Sequence, residues 1–585
     1  MKPRRIIRRP SLAGAAAELP LTLHPVLRRI YGARGVRGAD DLDLSLERLL
    51  PVSSLGGIEA AVDLLLQCRR RGGSVLVIGD FDADGATSTA VVVRQLRRLG
   101  FTAPQFLVPD RFKFGYGLTP EIVRVAATLC PGLIVTVDNG VSSLEGVAEA
   151  RRLGIDVLVT DHHLPGAALP EAAAIVNPNL PGELFASKAL AGVGVAFYVM
   201  AALTRRMRDD GSLPAGTPAN PADLLDLVAL GTVADVVPLD FNNRILVAQG
   251  LRRIRAGRCV PGLRALLEAS GRRLEVTIGQ DLGFQAGPRL NAAGRLEDMT
   301  LGIDCLLTDD QSEARELAQR LAQLNSERRE LEARMQGEAL VQVDALVASL
   351  EGALPAGLCL FDAGWHQGVI GLVASRVKER LHRPVIAFAP GDPGWLKGSA
   401  RSVPGLHVRD VLDAVAAHHP GLLEKFGGHA MAAGMTLRAE RLPDFALAFA
   451  AEVDRCAGED TLSGDLYTDG PLAAGEFTAD TAVALREGGP WGAGFAEPAF
   501  DGRFGVIDTR VVGSRHLKLR LRAASGETTQ AIAFRYLDDS QAAAIRPQQS
   551  IELVYRAALD EYGGGRRLQL VAEWLAPAAQ SDPSP

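Results

Sequence analysis

Three aspartates, Asp80, Asp82 and Asp84, stand at alternate positions directly after the apolar run Val77-Ile78-Gly79, and Gly85 follows them. Carboxylates this close repel one another, so leaving all three ionised without a counter-charge is costly. A divalent cation removes that cost, and hard cations such as Mg²⁺ or Mn²⁺ take oxygen ligands. An acidic surface turn or a calcium loop is the competing reading. The EF-hand spacing is absent, however, and the motif sits at a strand end. Two further apolar runs end in the same way. Val135-Thr136-Val137 leads into Asp138-Asn139-Gly140, and Val159-Thr160 leads into Asp161-His162-His163. Strand-Asp-Gly turns are common and a lone His pair is usually structural. Carboxylate beside imidazole nevertheless suits a transition metal, with Mn²⁺ favoured over Ca²⁺. Asp235 is the one acid inside the apolar stretch Gly231–Leu239. A buried carboxylate needs a partner, and a metal is the best candidate. The expectation is that Asp80, Asp138, His162 and Asp235 meet at successive strand ends. No Ser/His/Asp or Cys/His pattern calls for a protein nucleophile.

The elements that must position these residues read as alternating helix and strand from about residue 55. Helices are expected over Ile58–Arg71, Thr87–Leu99 and Leu144–Leu153, with strands over Ser74–Ile78, Leu133–Val137 and Val157–Thr160. Short, continuously apolar strands between helices indicate a parallel sheet covered on both faces, which binds ligands outside the carboxyl ends of its strands. Residues 309–350 carry a helical pattern with Leu317, Leu321, Leu324 and Leu331 among many charges. It reads as a connecting helix, with a coiled-coil dimer as the alternative. A second α/β unit follows, with strands at Gly357–Phe361 and Pro384–Ala389. Five short strands within Gly505–Ala572 then fit a small β-barrel of the OB type.

At 585 residues the chain is too long for one core. The domains read as 1–50, an N-terminal basic segment; 51–308, a catalytic α/β domain; 309–350, the connecting helix; 351–460, a second α/β domain; 461–575, the OB-fold; and 576–585, a disordered tail. The net charge of −6 does not advertise a nucleic-acid binder. Local charge says more, because nine Lys/Arg face only Glu18 and Asp40 over residues 1–40. A solubilising arm and a phosphate-contacting arm explain that equally well. The six cysteines are far apart and show no CxxC spacing, which excludes a disulfide framework and fits a reducing cytoplasm. The apolar stretch Ala189–Leu203 reads as a buried helix, too short to span a bilayer comfortably.

In the order Asp80–Gly85, Asp138–Gly140, Asp161–His163 and Val233–Leu239, the chain resembles the DHH phosphoesterase superfamily. The further motifs Pro109–Leu118, Gly287–Leu296, Gly364–Val377 and Phe426–Gly434 narrow the resemblance to the RecJ exonucleases, over roughly residues 50–575. One departure is Phe81, where that family usually has Tyr; the ring is kept and only the hydroxyl is lost. The resemblance implies a DHH parallel-sheet domain joined by a long helix to a second, DHH-associated α/β domain, followed by a β-barrel OB-fold. It implies a metal-dependent exodeoxyribonuclease that degrades single-stranded DNA 5′→3′ to mononucleotides, in recombination and repair. Two Mn²⁺ or Mg²⁺ ions are implied, one held by Asp80, Asp82 and Asp138, the other by Asp84, Asp138, His162 and Asp235. His163 would face the scissile phosphate, with Asp161 supporting the histidines. Candidate DNA contacts in the family motifs are Arg111, Arg289, Asn291, Arg295, His366, Arg376, Ser399 and Arg401, with Gly428 and His429 in the glycine-rich run.

That run, Gly427–Gly434, reads either as a loop offering backbone N–H groups to a phosphate or as tight helix packing. On the barrel, Lys518, Arg520 and Arg522 alternate and share one strand face, where they would track DNA. Tyr555, Tyr562 and Trp574 are stacking candidates. Single-stranded DNA is the expected partner, with a helicase and a single-stranded-DNA-binding protein beside it. No membrane partner is expected, and the chain reads as a cytoplasmic monomer. The other readings are a DHH hydrolase of short oligonucleotides or cyclic dinucleotides, against which length and barrel argue, and a non-catalytic replication scaffold, against which the full set of ligands argues.

Overall fold

The computed structural model describes residues 4–10, 19–109, 117–214, 216–349, 354–428, 430–458, 461–538, 544–560 and 566–578. Arg111, His429, Tyr562 and residues 579–585 of the expected tail therefore lie outside the described residues. The chain divides into two compact units, one of Arg8–Ala322 with Tyr467–Pro585, the other of Met1–Ile7 with Gln323–Leu466.

The first stretch contains strand β1 (Ile6–Arg8), helix α1 (Pro25–Ala33) and helix α2 (Ile58–Arg70). A five-stranded parallel sheet follows. It is built from β2 (Val75–Gly79), β3 (Gln105–Leu107), β4 (Leu133–Val137), β5 (Val157–Thr160) and β6 (Ala174–Val176), in the order β3-β2-β4-β5-β6. Every residue of β2, β4 and β5 is buried. Their unbroken apolar sequences reflect helices on both faces. Helices α3 (Ala83–Arg98), α4 (Pro120–Ala127) and α5 (Leu144–Arg152) lie between the strands in sequence. Ile122, Val123 and Ala126 of α4, with Val147 and Ala150 of α5, share a core with Leu76, Ile78, Ile134 and Val159 of the sheet. Helix α6 (Gly192–Asp209) is the expected buried helix, with Val193 through Met200 all inside. Helices α7 (Leu225–Ala234), α8 (Phe241–Arg255), α9 (Pro261–Glu268) and the single turn α10 (Gly279–Asp281) lead into a π-helical turn, Leu282–Ala286. Helix α11 (Gly287–Leu296), α12 (Thr300–Leu307) and the long α13 (Gln311–Ser349) complete the run.

Asp235 corrects one expectation. It is not at a strand end; it caps the C-terminus of α7, in a helical conformation. An apolar run of ten residues is as compatible with a buried helix as with a strand, and length decides for the helix. The coiled-coil alternative for α13 is also set aside. Ala314, Ala318, Leu321 and Leu324 are buried within the chain, and Met335, Ala339 and Val343 belong to an intramolecular core.

The other unit holds β7 (Leu358–Phe361), α14 (Ile370–Leu381), β8 (Val385–Pro390), β9 (Trp395–Arg401), α15 (Val408–His418), β10 (Lys425–Gly428), β11 (Ala432–Arg438) and α16 (Leu442–Cys456). Its sheet order is β10-β11-β9-β8-β7, with β7 and β8 parallel and the rest antiparallel. One face carries Val373, Ala374 and Val377 of α14 with the C-terminal half of α13; the other carries Leu412 and Val415 of α15 with Phe445 and Phe449 of α16. The glycine-rich run is neither loop nor helix over most of its length. Gly427 pairs with Gly434 and Gly428 with Ala433 in the β10–β11 hairpin. The ladder uses the backbone groups of these small residues.

After β12 (Leu466–Thr468) and α17 (Ala479–Glu487), a closed barrel forms. Its strands are β13 (Phe500–Val512), β14 (His516–Ala523), β15 (Thr528–Ala533), β16 (Ser550–Asp560) and β17 (Arg567–Pro577), in the order β13-β14-β15-β17-β16. Along β14, Leu517, Leu519, Leu521 and Ala523 point inward and Lys518, Arg520 and Arg522 outward. That is the period-two pattern of a strand with one buried face. Tyr555 is 0% exposed in the barrel interior, so it is not a stacking group. The basic N-terminal stretch is largely consumed in ion pairs: Arg5 with Asp465, Arg8 with Asp501, Arg9 and Arg34 with Asp469, and Arg29 with Glu476.

Candidate metal centre

The carboxyl ends of β2, β4, β5 and β6 are neighbours, so the residues that follow them converge. Asp80 follows β2, Asp138 follows β4, and Asp161-His162-His163 follows β5. Asp82 begins α3; its Oδ1 accepts the N–H groups of Asp84 and Gly85 at 2.9 and 3.0 Å, an N-cap that fixes the turn. Asp84, one turn into the helix entry, is fully buried. Both its oxygens accept backbone N–H groups from the start of α6, Gly192 at 2.6 Å and Val193 at 2.9 Å. Asp138 adopts φ +61°, an uncommon left-handed conformation that turns the chain directly off β4. Asn139 steadies that turn by donating to Ile78 O and Val137 O.

Three overlapping groups of ligand atoms result, each within 4.8 Å: Asp80, Asp82 and Asp138; Asp84, His162 and Asp235; and Asp138, His162 and His163. His162 Nε2 lies 3.1 Å from Asp138 Oδ1 and 3.6 Å from Asp235 Oδ2. His163 Nδ1 lies 2.7 Å from Asp161 Oδ1 and 4.0 Å from Asp138 Oδ1. Asp161 is buried and also accepts from the backbone N–H groups of His162, His163 and Val141. It orients the histidine pair and fixes which imidazole nitrogen of His163 faces away.

The electrostatics are those of a cation site. Burial, then the charges of Asp235 and Asp82, push the Asp84 carboxyl well above its usual value. Burial, then Asp84 and Asp82, do the same to Asp138. Burial and Asp82 raise Asp235 to about 7. For His163, burial pulls the pKa down but Asp161 outweighs it, and the result is about 9. Packing also shapes the cluster. A Cβ on Gly192 would lie 2.6 Å from Asp138 Cβ, and one on Gly231 would lie 2.8 Å from Asp84 Oδ1. Glycine at both positions lets α6 and α7 close on the carboxylates. Five carboxylates and an imidazole offer a hard, mostly oxygen donor set, which fits Mn²⁺ or Mg²⁺.

Asparagines missed in the sequence also hold the site. Asn177 Nδ2 donates to His163 O and Asn179 Nδ2 to His162 O. The Asn-Pro-Asn that follows β6 was the signal for them, since such a turn at a fourth strand end falls beside the other three.

The remaining candidates are scattered more widely. Asn291 Oδ1 accepts the Ala83 N–H at 2.7 Å, so it supports the start of α3. Arg289 is buried and donates to Gln285 O at 2.7 Å, and Arg295 lies in the last turn of α11. Arg376 is engaged by Glu332 at 3.0 Å and Glu379 at 3.2 Å. His366 Nδ1 accepts from the Gly368 N–H. Ser399 and Arg401 sit two apart on β9, 3.0 Å from each other. A Cβ on Gly371 would come within 2.8 Å of both, so they lie against the first turn of α14. Gly428 has φ +145° and its missing Cβ would strike Ala432 O at 2.3 Å, which explains glycine by the hairpin. Lys518 Nζ is 4.0 Å from Asp560, while Arg520 and Arg522 are exposed.

Residues 74–232 match the DHH family, N-terminal domain, residues 343–454 the DHHA1 domain, and residues 468–573 the RecJ OB domain. The single-stranded-DNA-specific exonuclease RecJ of Salmonella typhimurium is 51% identical, over 99% of this chain and 100% of its own length. The Escherichia coli protein of the same name is 50% identical over 96% of this chain and 97% of its own. A crystal structure of RecJ in complex with Mn²⁺ from Thermus thermophilus superposes with a TM-score of 0.80 at 32% identity, covering 98% of this chain and 79% of that one.

Proposed function

The chain belongs to the RecJ family of single-stranded-DNA-specific exonucleases, and on that premise we propose that it removes mononucleotides from the 5′ end of single-stranded DNA by metal-dependent phosphodiester hydrolysis. The observation that carries the proposal is the set of Asp80, Asp82, Asp84, Asp138, His162 and Asp235 gathered at the carboxyl ends of the parallel strands. In this reading Asp80, Asp82 and Asp138 would hold one divalent ion, and Asp84, Asp138, His162 and Asp235 would hold a second. When bound, such cations offset the carboxylate charge and polarise the phosphodiester. The chain's own residues do the rest. Asp161 keeps a proton on His163 Nδ1 and holds the ring in place, and His163 presents its other edge to the scissile phosphate. Where the ring is protonated, its Nε2–H donates a hydrogen bond to a phosphate oxygen.

Support for the nucleic-acid part comes from the outward row Lys518, Arg520 and Arg522 on the barrel and from Ser399 and Arg401 beside the first turn of α14. Intact ligands argue against a scaffold that has lost its chemistry. The test uses end-labelled single strands with Mn²⁺. A 5′-labelled strand should release labelled mononucleotide at once, whereas persistent label in long product, or equal attack from both ends, sinks the polarity. Asp138→Ala should abolish turnover with the fold intact, and retained activity would refute the shared-ligand role.

A further inference from the structure

Beside the metal centre lies an apolar feature that neither the ligands nor the fold explains. Asp235 caps α7, and the next residue, Val236, has φ +62° and is 68% exposed. A β-branched residue in that conformation is strained, and such strain persists where surrounding structure imposes it. The π-helical turn Leu282–Ala286 packs onto the same helix end. A Cβ on Gly283 would lie 3.1 Å from Val233, and one on Gly287 would lie 3.2 Å from the Ala234 Cβ. A π-turn is rare and is frequently found at functional sites. Its Leu282 is buried, but its aromatic residue, Phe284, is 68% exposed. Exposed apolar residues scattered singly need no explanation. Here two of them, each on unusual backbone, belong to segments that meet at the end of α7 that carries one candidate metal ligand.

We infer that Phe284 is a stacking platform for a base of the strand held at the metal centre, with Val236 forming the adjacent apolar rim. A single strand entering this site presents unstacked bases, and every base has a π-face that an exposed phenyl ring can cover whatever the sequence. Phe284 lies in the π-turn while Leu282 and Ala286 of the same turn are buried, so the ring is left to solvent. The inference deepens the exonuclease reading and rests on it, assigning Phe284 to substrate positioning rather than to the chemistry.

The test compares wild type, Phe284→Ala and Phe284→Trp on single strands carrying 2-aminopurine or an abasic residue, stepped through the 5′-terminal positions. Wild type should quench 2-aminopurine fluorescence at one position, and Phe284→Ala should not. For the normal strand, Phe284→Ala should raise KM by roughly 5- to 150-fold, the range that one base–aromatic stack corresponds to, with a smaller change in kcat. Placing the abasic residue at that position should cost wild type a similar factor and cost Phe284→Ala nothing further. Phe284→Trp should keep wild-type KM. Equal KM for wild type and Phe284→Ala, or a full abasic penalty in Phe284→Ala, overturns the inference. Loss of quenching separates the two readings: if wild type quenches but does not cut DNA, the exonuclease reading fails and the platform stands.

Discussion

Replacing Asp235 by Asn should make the metal-free protein more stable, and more so as the pH rises. The Asp235 carboxyl is lifted from 3.8 to about 7, first by burial and then by Asp82. A raised carboxyl pKa contributes stability that is fully present below 3.8 and is lost as pH rises through about 7, because the fold then has to hold the charged form. At about 1.4 kcal/mol per pH unit, the whole loss is about 4 kcal/mol. By pH 5 some of it has already occurred, so from pH 5 to pH 8 the advantage of the Asn variant should grow by about 3 kcal/mol. Chemical unfolding of both proteins with chelator, at the two pH values, measures this directly. Mn²⁺ should narrow the gap at pH 8: saturation at a hundredfold excess over Kd stabilises wild type by about 2.7 kcal/mol at the site that includes Asp235, and the variant by less. An Asn variant whose advantage is the same at both pH values, or a wild type more stable at pH 8 without metal, would show that no repelling carboxylate cluster exists there.

Asp161→Asn should lower kcat by about 10- to 100-fold with little change in KM, and should move the His163 titration down from about 9; an unchanged pH profile would remove Asp161 from the positioning of His163. Asn291→Ala leaves the Ala83 N–H without its acceptor and should destabilise the fold by about 1–3 kcal/mol. The DNA affinity of the folded variant should stay at the wild-type value, and a loss of affinity would instead place Asn291 on the DNA. Replacing Lys518, Arg520 and Arg522 together by Ala should reduce the slope of log affinity against log salt by about 2 for single strands, since each phosphate contact contributes about 0.7. An unaltered slope would exclude that barrel face from the DNA path.

Much of the site was legible because its chemistry is local. Asp80, Asp82 and Asp84 follow one apolar strand, and Asp138 and His162 follow two others, so each lies where a parallel sheet places its ligands. The barrel strand His516–Ala523 showed its two faces through alternation alone. The glycine-rich run from Gly427 misled because small residues carry no periodic signal, and only the pairing of Gly427 with Gly434 reveals a hairpin. Arg376 and Asn291 stand in linear motifs, and only the structure shows that Glu332 and the Ala83 N–H come from elsewhere in the chain to meet them.

By itself, then, the sequence determined the ligand types, the strand ends that carry most of them, the two α/β sheets and the barrel, since these follow from periodicity and from the cost of crowding carboxylates. The tertiary structure decided what depends on distant segments meeting. It brought Asp235 to the cluster from a helix end, through glycines that let α6 and α7 close on Asp138 and Asp84. It spent most of the basic N-terminal stretch on internal acids. It also set Phe284 on a π-turn beside Asp235, an arrangement with no local signature because the packing of α7 against that turn creates it.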